Sequence, residues 1–227
     1  DESGGDSSSK KPTSQLLNVP AIDDYIRQNE PVFDYLTRWS GLRPADLDPA
    51  STLARGGAPL ATLKEAYAKL AHLVAAGATF VGHGLAQDFR MINIVVPPDQ
   101  VVDTVHLFHL GEKEKEKGGG EEGEKKPSSS SSKPSNSSRG RKLSLRFLVS
   151  RLLRDSADFA GFQQGEHDSV EDARAALALY ARWRELKRAG GSKLQETIEG
   201  LYEYGRAHGF DPSASSGSGG GGVVFGQ

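Results

Sequence analysis

The chain contains no cysteine. That excludes disulfides and thiolate metal sites, so any metal must be held by oxygen or imidazole ligands. No apolar run is long enough to cross a bilayer, and no segment has the layout of a secretory signal. Net charge is only −2, so a polyanionic partner would have to be met by a local patch rather than by the whole molecule. Apolar residues are also scarce, 36% of 227, and the scarcity is uneven. Three stretches carry almost none: DESGGDSSSKKPTSQ at the start, GEKEKEKGGGEEGEKKPSSSSSKPSNSSRGRK in the middle and DPSASSGSGGGG near the end. Such segments cannot bury enough surface to offset the entropy of ordering. Residues 1–16, the insertion 111–142 and the tail 211–227 are therefore expected to be disordered. One core is expected from 17–210 outside that insertion, which is long enough to form one.

The remaining stretches show patterning. VPAIDDYI (19–26) reads as a short strand, and PVFDYLTRWSG (31–41) suits either a strand end or a short helix. LRPADLDPA reads as a loop with Pro44 and Pro49 as breakers. Leu60, Leu63, Tyr67, Leu70 and Val74 recur in steps of three and four, which predicts an amphipathic helix closed at Gly77. ATFVG follows as a buried strand, GLAQDFRMIN as a loop entering a short helix, and VVDTVHLF (101–108) as a second strand. Beyond the insertion, Ser144 is placed to cap a helix with a Leu145, Leu148, Leu152 stripe. The longest helix is expected at about 169–188, with Val170, Ala173, Leu177, Tyr180 and Arg184 on one face and Leu179, Trp183 and Leu186 widening it. A last helix, about 192–208, carries Leu194, Ile198 and Leu201, and Gly200 and Gly205 weaken it by about 1 kcal/mol each relative to Ala. Strands alternating with helices imply an α/β domain.

Chemistry-bearing residues concentrate at two turns. One is Gly82-His83-Gly84 with Asp88; the other is His167 with Asp172, at the start of the longest helix. Asp172 has a plain structural explanation: Ser169-x-x-Asp172 has capping-box spacing, and an acid suits the first turn of a helix. A lone loop histidine likewise needs no chemistry. The alternative is hydrolysis of a phosphodiester. Two divalent ions ~3.5–4 Å apart need carboxylates converging on one point, magnesium prefers oxygen ligands, and a histidine can take the proton from the attacking water. His167 would then be the base, and Asp88 and Asp172 metal ligands.

GHGLAQDF, DTVHLF, LSLRFL and HDSVEDARAALALY, in that order, resemble the DEDDh class of 3′→5′ exonucleases. With IDDYI and VFDYLTRWSGLRPADLDP added, the resemblance narrows to the exonuclease domains of the catalytic subunits of poly(A)-nuclease (PAN) deadenylation complexes. It covers most of residues 19–187 outside the insertion. It implies a ribonuclease-H-like α/β fold, a mixed sheet flanked by helices, and removal of adenylates from mRNA poly(A) tails with two Mg²⁺ or Mn²⁺ ions. It also implies poly(A) RNA, a regulatory adaptor subunit and, indirectly, poly(A)-binding protein as partners, no membrane, and a cytoplasmic location including P-bodies. Residue by residue, Asp88 falls on the second-motif metal ligand, Asp172 on the third-motif ligand and His167 on the base.

Asp103 is expected to be structural, accepting backbone amides, and His83 to pack beside Gly84 rather than ligate. Arg90 and Arg146 are candidate phosphate contacts, weighed against solvated surface positions. The insertion is read as a solvated spacer, with a basic arm on RNA formed by Arg139, Arg141 and Lys142 as the alternative. The class also carries an Asp-x-Glu pair on its first strand, which this sequence lacks; the acids of DESGGD have neither the spacing nor the apolar context. The amino end is therefore expected to be truncated, with exposed apolar surface or an open sheet edge. Activity is expected to be impaired, since two aspartates make a poor cage for two ions. Rival readings are another DEDDh enzyme trimming RNA 3′ ends, and a non-catalytic fragment or scaffold.

Overall fold

The computed structural model describes residues 19–51, 56, 60–110 and 140–213. Most of the three low-apolar stretches therefore lies outside the described residues. The elements run β1 (Tyr25–Ile26), α1 (Thr37–Ser40), α2 (Pro44–Leu47), β2 (Leu60–Ala61), α3 (Leu63–Ala75), β3 (Phe80–Gly82) and α4 (Leu85–Ile92). They continue with β4 (Val101–Asp103), α5 (Thr104–Leu107), α6 (Leu145–Leu152), α7 (Ser169–Arg188) and α8 (Gly191–Ala207). Strands alternate with helices as expected of an α/β domain. The chain divides into two compact units. The first takes residues up to Thr79, Phe89–Gln100 and Gln163–Arg174; the second takes Phe80–Asp88, Val101–Phe162 and Ala175 onward.

In the first unit β1 and β2 pair in parallel, Tyr25 opposite Leu60 and Ile26 opposite Ala61. Leu60 thus belongs to a strand, not to the helix that its apolar spacing suggests. The helix begins at Leu63 because Thr62 caps it: the Thr62 hydroxyl accepts the Glu65 N–H, and the Glu65 carboxylate accepts the Thr62 N–H. Two otherwise orphan amides are satisfied reciprocally, which sets the boundary. Gly77 closes the helix at φ 74° as expected. Pro44 opens α2 instead of breaking a loop, since a first helical position needs no N–H and suits its fixed φ. Little is buried here. Ala61 and Ile94 are buried, whereas Phe33, Trp39, Met91 and Val95 are exposed.

In the second unit β3 and β4 pair in parallel, with Phe80, Val81 and Gly82 opposite Val101, Val102 and Asp103. The strand expected over 101–108 stops at Asp103. Its carboxylate accepts the Val105 N–H and caps α5, and the Thr104 hydroxyl donates to the Gly82 carbonyl. The core gathers α6, α7 and α8 around Phe108, Phe147, Leu148, Leu179, Leu201 and Tyr202, all nearly inaccessible. Each such side chain contributes about 1.5–3 kcal/mol by leaving water.

Two helix faces differ from expectation. In α6 the buried residues are Phe147, Leu148 and Val149, with Leu145 and Leu152 only partly buried. In α7 the buried row is Ala175, Leu179 and Leu186, with Ala176, while Ala173, Leu177 and Arg184 are exposed. Both rows of α7 have helical spacing, and only packing against neighbours selects one. Helix α8 ends in a Schellman arrangement: Gly209 lies at φ 66° and the Phe210 N–H donates to the Gly205 carbonyl. Gly205 leaves room for the Phe210 ring, which a Cβ would meet at 2.2 Å.

Tyr202 ties distant parts of this unit. Its hydroxyl donates to the Arg141 carbonyl at 2.6 Å and accepts the Leu110 N–H at 3.3 Å. Leu110 and Arg141 flank the long polar stretch, so this phenol holds its two ends. Tyr202→Phe keeps the ring and removes both bonds. It is expected to lower stability by about 1 kcal/mol, read as a shift in the urea midpoint with an unchanged slope.

Candidate active site

The corner from β3 into α4 is built around close backbone approaches. A Cβ at Gly82 would lie 2.4 Å from the Leu85 side chain, and Gly84 sits at φ 87°. Asp103 holds the corner: its carboxylate accepts N–H bonds from Gly84, Leu85 and Val105 at 2.9–3.0 Å. This is the structural role expected of it. His83 Nδ1 lies 2.9 Å from the Thr104 hydroxyl. The hydroxyl's only proton goes to the Gly82 carbonyl at 2.8 Å, so the ring's Nδ1–H donates and His83 is part of the scaffold.

Asp88 stands in the first turn of α4. The residue as a whole is exposed, yet protein atoms crowd its carboxyl. That loss of hydration, with the charge of Asp103 adding to it, raises its pKa above the ordinary 3.8. Its negative charge is thus poorly compensated, a state that an added cation would relieve.

The other group lies in the first unit. Asp168, not Ser169, caps α7: its carboxylate accepts the Glu171 N–H at 2.8 Å. Asp172 is therefore not used as a capping partner. Gln163 Nε2 donates to Asp172 Oδ1 at 2.6 Å, and Asp172 Oδ2 lies 3.6 Å from His167 Nδ1. Both side chains are about a third exposed, 30% each, so a small reactant can reach them.

The loop carrying His167 is held by the segment around α1 and α2. The His167 N–H donates to the Arg38 carbonyl at 3.3 Å, and the Trp39 ring lies 5.7 Å from the imidazole. Arg43 pairs with Glu166 at 2.7 Å. Gly41, at φ 69°, caps α1 and lies so close to the loop that a Cβ would stand 2.4 Å from the His167 carbonyl oxygen. The sequence reading missed Gly41, Trp39 and Gln163. A glycine after a short helix is a recognisable end signal, but its approach to a loop over a hundred residues away has no local trace.

The structure therefore brings His167 and Asp172 together, while Asp88 lies in the other unit near Asp103. Arg90 is exposed on α4 and Arg146 half-buried on α6. Among the described residues no three histidine or acidic side chains cluster so as to hold a metal ion. These residues by themselves do not complete a metal cage.

A model of the exonuclease family matches residues 13–127, half of the chain. The chain belongs to the exonuclease family, whose members work with divalent metal ions, and its fold is the ribonuclease-H-like one. The matched span contains Asp88 and Asp103 and ends before His167 and Asp172. More particularly, the chain is similar to catalytic subunits of the PAN2-PAN3 deadenylation complex. It is 45% identical over 194 residues to pan2 of Schizosaccharomyces pombe, covering 86% of this chain and 14% of that protein. It is 42% identical over 191 residues to PAN2 of Homo sapiens, covering 83% of this chain and 13% of that protein. Two solved structures agree. The Pan2 catalytic unit of Neurospora crassa has a TM-score of 0.61 at 40% identity, with 82% of this chain and 24% of that one covered. The Saccharomyces cerevisiae Pan2 module in complex with AAGGAA RNA has a TM-score of 0.64 at 36% identity, with 86% and 26% covered.

Two outcomes follow from this geometry. Gly41→Ala places a methyl group against the His167 carbonyl and strains a left-handed backbone. It is expected to cost about 1–3 kcal/mol, and the imidazole NMR signals of His167 should shift or broaden. Asp88 supplies a pH signature. Its folded pKa is raised, so its contribution to stability is present below the ordinary value and lost as pH rises through the raised one. In metal-free buffer, Asp88→Asn is expected to gain stability relative to the parent as pH rises above the ordinary carboxylate value, measured by denaturant titration at each pH.

Proposed function

We propose that this chain is the exonuclease part of a deadenylase, removing adenylates by hydrolysis from the 3′ end of poly(A) RNA. The observation that carries this reading is the His167–Asp172 pair, 3.6 Å apart, in a chain 45% identical to a deadenylation-complex catalytic subunit. His167 takes the proton of the attacking water, a task suited to histidine near neutral pH. The imidazolium so formed stands beside the Asp172 carboxylate, an attractive arrangement. Gln163 fixes the orientation of that carboxylate from its other oxygen, and the Gly41 turn fixes the loop.

We assign Asp172, beside His167, to divalent-ion binding, Mg²⁺ or Mn²⁺, and Asp88 to the same task within its own unit, each together with carboxylates that the described residues do not supply. Without an Asp-x-Glu pair, these 227 residues alone are expected to work slowly. By analogy with the relatives, the regulatory partner is a PAN3-type adaptor. Poly(A)-binding protein is an indirect partner, and the cytoplasm, including P-bodies, is the place of action.

The test is the shortening of end-labelled oligo(A) and oligo(U) of equal length, with protein in excess over RNA and Mg²⁺ or Mn²⁺ present. Oligo(A) is expected to shorten from its 3′ end faster than oligo(U). His167→Ala is expected to lower the rate by about 10²–10⁴-fold, with Asp172→Ala at least as damaging. Equal rates on the two strands would favour a general RNA-trimming exonuclease. Shortening that survives both substitutions would remove these residues from the chemistry.

A further inference from the structure

A cleft of about 620 Å³ opens in the first unit, and neither His167 nor Asp172 lines it. Arg27 follows β1, Thr62 and Lys64 stand at the start of α3 with Tyr67 a turn further on, and Asn29 and Asn93 complete its polar lining. The volume lies in the range of ligand-binding clefts.

Its charge is distinctive. Among the described residues neither Arg27 nor Lys64 has an ion-pair partner, whereas Lys69 on the same helix is paired with Asp24. Glu65, the acid next to Lys64, is occupied with the Thr62 N–H and hydroxyl, which also holds its pKa below the ordinary value. The Thr62 oxygen in turn accepts the Glu65 N–H. The attraction for an anion therefore comes from two side-chain cations rather than from the helix end. Tyr67 is 42% exposed and offers a ring face, and the two asparagine amides offer both donors and acceptors. Cations for phosphates beside an aromatic face for a base are what single-stranded nucleic acid requires.

We propose that this cleft holds the body of a single-stranded RNA, beyond the nucleotide that reacts. Two backbone phosphates sit on Arg27 and Lys64, and one base lies against Tyr67. The identity of the strand rests on the exonuclease reading above; the cleft itself does not.

The test is fluorescence anisotropy of labelled oligo(A) with the 227-residue chain over a range of salt, using Arg27→Ala/Lys64→Ala and, separately, Tyr67→Ala. Circular dichroism confirms that each variant is folded. Removing two phosphate contacts should make the slope of log affinity against log salt shallower by about 1.4. Tyr67→Ala should weaken binding by about tenfold with the slope unchanged. Should Tyr67→Ala fail to fold, the double charge variant, on exposed positions, decides alone.

An unchanged slope in the double variant, with His167→Ala still blocking shortening, overturns the cleft and leaves the exonuclease reading standing. The expected slope change on a strand that is never shortened supports the cleft and overturns that reading. A parent chain that binds no oligo(A) overturns both. Loss of affinity for an acidic peptide, with RNA binding intact, assigns the cleft to a protein and overturns the proposal.

Discussion

The approach of the Gly41 backbone to the His167 carbonyl is the constraint on which the proposed chemistry depends. A histidine on a loop is useful for proton transfer only if the loop has one position. Here that position is set without any side chain at residue 41. The left-handed turn closes α1, and the missing Cβ leaves room for the carbonyl of a residue far along the chain. The Arg38 carbonyl, the Trp39 ring and the Arg43–Glu166 pair then hold the loop from the same segment. The exposed ion pair adds little by itself; the backbone contact tolerates no substitute.

Asp103 and Asp88 show how environment divides two identical side chains. Asp103 is satisfied by three backbone amides, and its charge is used to build a corner. Asp88 is partly stripped of water and stands near another negative charge. Its ionised form is disfavoured by the fold. A similar contrast separates Asp168, used as a cap, from Asp172, which is held by Gln163 and faces His167.

Stability and chemistry are unevenly placed. The second unit has a dense core of large apolar residues from α6, α7 and α8. The first unit, which carries the His167–Asp172 pair, buries few apolar residues and exposes several aromatic and aliphatic ones. Its order leans on caps, turns and single hydrogen bonds, so substitutions such as Gly41→Ala act there with little surrounding core to absorb them. The chain spans 14% of the length of its relative pan2.

Local patterns determined a good part of this protein. The 3.6-residue periodicity announced α3 and α7, Ser144 and Gly77 marked helix ends, and His-x₄-Asp drew attention to the pair that the structure brings together. What local pattern could not decide was which of two plausible faces or caps would be used. Leu60 could extend a helix or pair as a strand, Ser169 or Asp168 could cap α7, and either apolar row of α7 could turn inward. The cap is settled locally, by the Glu171 N–H on Asp168, but the other two choices belong to the tertiary structure because each depends on a partner distant in sequence: Tyr25 for Leu60 and a surrounding core for Leu179. Periodicity reports what a segment can bury, and only the packed chain specifies what it is buried against.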